Sequence, residues 1–580
     1  MQAPIRRKLF SGFLVLLFLL GASAIRAGGM EPAEMVLLNG RIATVDENRP
    51  EAEAMAVRGG LLVAVGNDDE VRPYIGPSTS VVDLGGKFAM PGFIEGHGHL
   101  LFLGQSKLEL DLARTGNWDE ITALVANAAR KAEPGEWITG FGWHQEKWNT
   151  PPSPAVEGYP TNAALNLAAP DNPVILTHAS GHGCIVNAKA LEMAGIGKAS
   201  EDPKGGRIVR DAQGNLTGVL LDEAQKSVSA LHAAALEKRT PREIEDDSRK
   251  AIGLAVRDCQ SKGVTSFQDA GSSFSTIDLY KKMAMEGSLG LRLWVMIGES
   301  NENLAKNISR YRTINFADKM LTVRAIKRFM DGALGSHTAW FLEPYSDLPS
   351  GEGLNVEPAA EILQTARIAV ANGFQLCVHA IGDRACREVL NIYETVFKEN
   401  PDKKDLRWRV EHAQHLSAAD IPRFGRLGVI ASMQAIHCTS DGPWVVKRLG
   451  AARAEEGAYV WRKLMDTGAV VTNGTDTPVE DVNPLPNFYA AVTRKMADGA
   501  AFYPEQRMTR LEALKAYTIR NAFAAFEEDS KGSLTPGKLA DVVVLSENLL
   551  TCPEERIKDA KVLYTILGGR IVYRSENAAP

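Results

Sequence analysis

The chain has 580 residues, 45% hydrophobic and 23% charged, which leaves room for a large buried core and excludes a disordered chain, a repeat array or a staple-dependent mini-fold. Its 65 Lys and Arg against 71 Asp and Glu give a net charge of -6. With no long basic run, the electrostatic footprint of nucleic-acid binding is missing, and a small molecule is the expected partner.

Residues 1–27 read as an export signal. Arg6, Arg7 and Lys8 precede an apolar run at 13–20 and the small residues Ala22, Ala24 and Ala27. That run is shorter than the ~20 residues a membrane span needs, and no later segment supplies one. The mature chain is expected to begin near Gly28, with cleavage after Ala24 as the alternative, and to work in the periplasm or outside the cell. Arg6-Arg7 leaves both the general and the twin-arginine export routes open.

Residues 35–83 alternate short β-rich runs with glycine turns at Gly40, Gly59-Gly60 and Gly66, and residues 540–574 do the same at the far end. Neither half is large enough to be stable alone. Segments 28–87 and 530–580 are therefore predicted to close on each other as one small β-sandwich domain.

Between them, residues 88–529 carry eight apolar runs, at 88–94, 264–267, 291–297, 323–329, 375–379, 408–411, 429–433 and 469–472. Segments of helical period such as 241–260, 357–371, 383–398 and 511–526 follow them. The alternation predicts an α/β fold, a (β/α)8 TIM barrel. The first crossover is too long for a loop, so residues 105–240 are expected to form a folded insertion covering the mouth. The six cysteines show no C-x-x-C pair and mostly sit in apolar runs, which suits small buried thiols.

Glu95-Gly96-His97-Gly98-His99 ends the first run with His-x-His. Period-two geometry aims both imidazoles the same way, and at the carboxyl end of a barrel strand that direction is the mouth. Two convergent imidazoles are half a metal site, although the motif alone is more often a structural or surface pair. His379, His412 and Asp476 close three further strands, so four His and one Asp are predicted at one rim. Lys327 lies inside an apolar strand, where an unpaired ammonium is costly to desolvate; a salt bridge is the alternative reading.

These segments, with Asp331-Gly332-Ala333-Leu334-Gly335-Ser336 and the closing Gly532-Ser533-Leu534-Thr535-Pro536-Gly537-Lys538-Leu539-Ala540-Asp541, resemble the amidohydrolase superfamily. Within it the chain is similar to amidohydrolase family 3, the YtcJ-like and N-substituted formamide deformylase branch. The resemblance implies one or two divalent ions, zinc by expectation, with His97 and His99 on the more buried ion and His379 and His412 on the more exposed one. It further implies Asp476 as ligand and proton carrier, and Lys327 as a bridging ligand in the form of N6-carboxylysine. Relatives commonly have Arg where this chain has His337, which, with His182 and Trp143, is a candidate for substrate contact.

The implied activity is a metal-dependent hydrolase that opens a non-peptide C–N bond of amide or formamide type in a small molecule by metal-activated hydroxide. Asp476 would carry the proton and Glu411 would orient a ligand. An ester or lactone hydrolase on the same site is the rival within enzymes, and a non-catalytic binding or regulatory barrel is the rival outside them. A homodimer is compatible with the sequence.

Overall fold

The computed structural model describes residues 30–236, 239–576 and 578. The export signal predicted at 1–27 lies outside them. Among the described residues no helix is long and apolar enough to cross a membrane.

The centre is a barrel of eight parallel strands: β1 (Phe93–Gly98), β2 (Val264–Ser272), β3 (Arg292–Ile297), β4 (Leu321–Phe329), β5 (Gln375–Ala380), β6 (Arg409–His412), β7 (Ile430–Met433) and β8 (Val471–Asn473). Each pairs with the next in parallel register. These strands read as nearly continuous apolar runs because side chains pack both inside the barrel and under the helices outside it. In β3 every residue of Arg-Leu-Trp-Val-Met-Ile is buried. Helix Asp383–Glu399 shows the complementary pattern, burying Ala385, Cys386, Val389, Leu390, Tyr393 and Val396 at three- and four-residue spacing.

No ladder of strand residues joins β8 to β1. Closure comes from the residues just beyond β8, where Asp476 N donates to His97 O and His99 N donates to Thr477 O, each at 2.8 Å. The seam of the barrel therefore runs through three of the predicted ligands.

The run predicted at 88–94 is two strands. Phe88–Pro91 pairs antiparallel with Val542–Leu545 in a six-stranded sheet made from both ends of the described chain, and the barrel begins only at Phe93. The change falls at Gly92: its N–H donates to Asp541 O at 2.9 Å, and the next N–H, of Phe93, donates to Gly263 O at 3.1 Å. A Cβ at Gly92 would lie 2.3 Å from the Thr265 side chain, so only glycine lets the chain pass from one sheet to the other here. The last strand is likewise displaced, from 469–472 to Val471–Asn473.

A second, four-stranded sheet of Leu61–Gly66, Ala54–Arg58, Met35–Leu38 and Ser80–Asp83 completes the terminal unit. Its core holds Leu37, Met55, Val542, Val544 and Ile566. The crossover between β1 and β2 folds as a six-stranded sheet running from Leu110–Asp111 to Leu216–Asp222 in the chain, with its own core around Trp118, Trp143, Leu176 and Val219. All six cysteines are buried and unpaired.

Terminal unit and barrel are tied by a buried ion pair. Arg292, at the start of β3, donates to Asp541 through Nε at 2.7 Å and Nη2 at 3.1 Å, with both side chains 5% exposed. Asp541 also accepts the N–H of Gly568 at 2.8 Å. Replacing Asp541 by Ala strands a guanidinium in the interface, so an Asp541→Ala variant should lose about 3–5 kcal/mol of stability. Urea unfolding followed by circular dichroism measures this.

Candidate metal centre

The site is built at the seam. β1 carries His97 inward and fully buried, while His99 stands at the N-cap position of the following helix Leu100–Ser106, without a side-chain capping bond, and stays partly exposed. Gly96 between β1 and β8 has no room for a side chain: a Cβ there would sit 2.4 Å from Asn473 O. On the other side of the seam Glu95 grips Thr475, accepting its N–H at 2.6 Å and its hydroxyl at 2.9 Å. That grip fixes the loop in which Asp476 sits. Asp476 has φ +60° and His412, at the end of β6, has φ +74°. Non-glycine residues in left-handed conformations are strained, and they persist where the surroundings over-determine them.

Asp476 is the hub. Its Oδ1 lies 3.3 Å from His99 Nε2 and 3.6 Å from His97 Nε2, and its Oδ2 lies 3.9 Å from His412 Nδ1. Donor atoms of His97, His99 and Asp476 all fall within 4.8 Å of one another, and so do those of His412, His437 and Asp476. Oδ1 is buried without a hydrogen-bond partner among the described residues, although a buried carboxylate oxygen normally has one. A cation on the His97–His99 side satisfies that oxygen, so the donors present suit a divalent metal of the N,O-binding kind.

The electrostatics agree. Burial lowers the pKa of His97 to about 4, with the neighbouring Lys327 helping and Glu411 opposing, and burial holds His379 and His412 well below the ordinary histidine value. Neutral imidazoles are the ligand form. For Asp476 burial acts the other way, but His99, His412 and His97 outweigh it and keep the carboxyl well below the usual range.

The ring of His97 is oriented from behind. Its Nδ1 lies 2.5 Å from Glu411 Oε2, and the same carboxylate is paired with the fully buried Arg409, whose Nε is 2.6 Å from Oε1. Arg409 also donates to Gly96 O and Ser432 Oγ, each at 2.7 Å. This places Glu411 behind a ligand, as a histidine at a metal requires.

Lys327 is buried, with Nζ 3.2 Å from His97 Nε2 and 4.7 Å above the ring of Phe329. Burial lowers its pKa, and no salt bridge to it occurs among the described residues. His379 lies beside His412, ring centroids 4.4 Å apart. Its Nε2 faces Gly332 O at 3.0 Å, and no donor atom of His379 joins either trio.

Above the rim is a cleft enclosing about 670 Å³, counting the part open to solvent. The insertion supplies His144, Ser180 and His182 to its wall. His182 Nδ1 is held 2.7 Å from Asp222 Oδ1. Burial alone would depress its pKa, but Asp222 raises it.

The other two predicted substrate contacts are not in this wall. Trp143 is buried in the insertion core with Nε1 donating to Leu176 O at 2.9 Å; the large apolar ring completes that core instead. His337 faces Asp347, Nε2 to Oδ1 at 3.2 Å, which turns it away from the cleft. Sequence reasoning missed His437, Asp441 and Trp444, which line the cleft from the helix Ala435–Leu449. All three lie on that helix, past the end of β7, where the strand-end pattern gives no signal.

A sequence model of the amidohydrolase family matches residues 80–573. Among curated relatives, the chain is 34% identical to Protein LONG AFTER FAR-RED 3 of Arabidopsis thaliana, over 93% of this chain and 92% of that protein. It is 28% identical to the N-substituted formamide deformylase of Arthrobacter pascens, over 93% and 98%. A solved structure, an uncharacterised metal-dependent hydrolase of Pyrococcus horikoshii OT3, superposes with a TM-score of 0.71 at 26% identity, covering 90% of this chain and 99% of that one.

Because His97 and His99 sit at the rim and not among the packed strands below it, His97→Ala and His99→Ala should each remove most bound metal and activity while the barrel stays folded. Metal content by mass spectrometry, with circular dichroism on the same samples, checks both halves of that expectation.

Proposed function

Since the chain belongs to the amidohydrolase family and is a metal-dependent hydrolase, we propose that it hydrolyses a C–N bond of amide or formamide type in a small molecule. The observation that carries this reading is the carboxylate of Asp476, ionised, without a hydrogen bond on Oδ1, and shared by histidines from the ends of two strands. The 28% identity to an N-substituted formamide deformylase supports the choice of bond.

A divalent ion, zinc in this reading, would supply Lewis-acid chemistry at this site, lowering the pKa of water and drawing charge from a carbonyl. His97, His99 and Asp476 would hold it, and Glu411 fixes the ring of His97 for that purpose. Asp476 accepts a proton on its carboxylate and delivers it to the departing nitrogen, a transfer its position beside the ligand imidazoles allows. His182, braced by Asp222, contacts the substrate from the insertion side. Lys327, buried beside His97 without a salt bridge, is the residue on which this reading places an N6-carboxylate. Export by residues 1–27 places the reaction in the periplasm or outside the cell.

Paired substrates test the reading. A panel of N-formyl and N-acyl amines set against the corresponding esters should show turnover of the amides; turnover of esters alone would give the site to the ester or lactone chemistry. In Asp476→Asn the amide still fills the space but no longer takes a proton, so kcat should fall by about 10²–10⁴. Near-normal turnover with full metal content would place the base elsewhere.

A further inference from the structure

We propose that the cleft takes an amide carrying a second, protonated amine, and that Asp441 is the group that receives this ammonium. The proposal rests on the amide-hydrolase reading above and narrows its substrate class.

Three cleft-lining side chains come from one face of the helix Ala435–Leu449. His437, Asp441 and Trp444 follow one another at spacings of four and three, which aligns them as a single stripe. His437 stands nearest the reacting end, with a donor atom within 4.8 Å of donor atoms of His412 and Asp476. Asp441 is one turn farther on, about 6 Å by the rise of a helix. Trp444, with Leu334 and Val479, supplies apolar wall for a methylene spacer between the two ends.

The charge of this wall does not balance. Lys147 of the insertion reaches Glu480 in the loop after β8, Nζ to Oε1 at 2.9 Å, and both line the cleft. Among the described residues no Lys, Arg or His pairs with Asp441, whose Oδ2 accepts the hydroxyl of Tyr459 at 2.7 Å and whose Oδ1 has only Ser440 Oγ, at 3.4 Å. Two carboxylates therefore share one ammonium. Burial raises the pKa of Asp441 and Glu480 adds to this, while His437, Lys147 and Tyr459 lower it; a bound cation would act with the second group.

A free acceptor lies beside that carboxylate. His437 is only 6% exposed, and its Nε2 has no hydrogen-bond partner among the described residues. Gln414 faces His437 Nδ1 at 2.9 Å with one end of its amide and the hydroxyl of Tyr459 at 3.4 Å with the other. Tyr459 spends its single proton on Asp441, so towards Gln414 it can only accept. The amide nitrogen of Gln414 then points at Tyr459 and its carbonyl at His437, which puts the proton of His437 on Nδ1 and leaves a lone pair on Nε2. A carboxylate and an imidazole lone pair on one stripe both accept hydrogen, so this side of the cleft suits a donor with positive charge and opposes a substrate carboxylate.

Matched compounds test this. N-formyl-1,4-diaminobutane, N-formylpentylamine and N-formyl-4-aminobutyrate are similar in length and end in an ammonium, a methyl and a carboxylate. In the unsubstituted holoenzyme kcat/KM should be at least about tenfold higher for the ammonium than for the methyl compound, and lowest for the carboxylate. In Asp441→Asn the ratio of ammonium to methyl compound should fall to near unity, while Asp441→Glu should keep most of it. Calorimetry with 1,4-diaminobutane against pentylamine makes the same comparison without turnover, and the diamine should bind more tightly by a similar factor. Equal kcat/KM or equal binding for the charged and neutral compounds in the unsubstituted protein would overturn the proposal, and so would a preference that survives intact in Asp441→Asn. Tighter binding of the diamine with no turnover of any amide would support the ammonium position and overturn the amide reading instead.

Discussion

Two backbone hydrogen bonds at 2.8 Å, Asp476 N to His97 O and His99 N to Thr477 O, decide where everything else in the site can be. β8 ends before it reaches the rim, so the barrel is joined there by a loop and not by a ladder of strand residues. A loop can close a barrel only if its backbone is held, and Glu95 holds this one through the N–H and hydroxyl of Thr475. The consequence is that the carboxylate of Asp476 and the imidazoles of His97 and His99 are positioned by the same bonds that close the fold. Ligand geometry then comes from rigid strand ends and not from mobile side chains, which is what a preorganised centre requires.

Below that seam a polar network lies beside a buried apolar cluster that includes Trp294, Met296 and Ala325. Arg409 reaches Gln268, Gly96 O, Ser432 and Glu411, and Asn521 donates to Ile94 O at 2.7 Å and Asn473 O at 2.8 Å. In a low dielectric such a network is stable only when its members find partners. These bonds hold β1, β6, β7 and β8 in register just beneath the ligands. The same network supplies the acceptor for His97 Nδ1, so the fold's internal wiring and the orientation of a ligand are one structure.

The barrel was legible because its strands are buried on both faces and therefore read as uninterrupted apolar runs, and because helix-period segments separate them. Its ends were less so. Residues 88–94 form one apolar run, and nothing in hydrophobicity marks the change of sheet at Gly92, which depends on the approach of Thr265 from another strand. His97, His99, His379, His412 and Asp476 were legible as rim residues because each closes a predicted strand. Trp143 was misplaced for an equally physical reason: an aromatic beside a cleft and an aromatic beneath it have the same sequence signature. His437 escaped because it lies four residues past the end of β7, beyond the reach of a strand-end rule.

The charge balance of the cleft floor explains why the centre calls for a cation. Burial keeps His97, His379 and His412 neutral, while Asp476 stays ionised among them. Glu411 is also held ionised, but Arg409 compensates it at 2.6 Å. Among the described residues no Lys or Arg pairs with Asp476, and burial holds two of its neighbours, His97 and His412, neutral. Lys327 approaches His97 and not the carboxylate, and burial weakens its hold on a proton. A buried anion with no Lys or Arg paired to it is a costly arrangement by itself, and a divalent ion would offset that cost by using nitrogen lone pairs and the charge of that carboxylate together. The features that would be liabilities in an ordinary core, an unbonded carboxylate oxygen and strained strand-end residues at φ +60° and φ +74°, are the ones that a bound cation turns into a binding site.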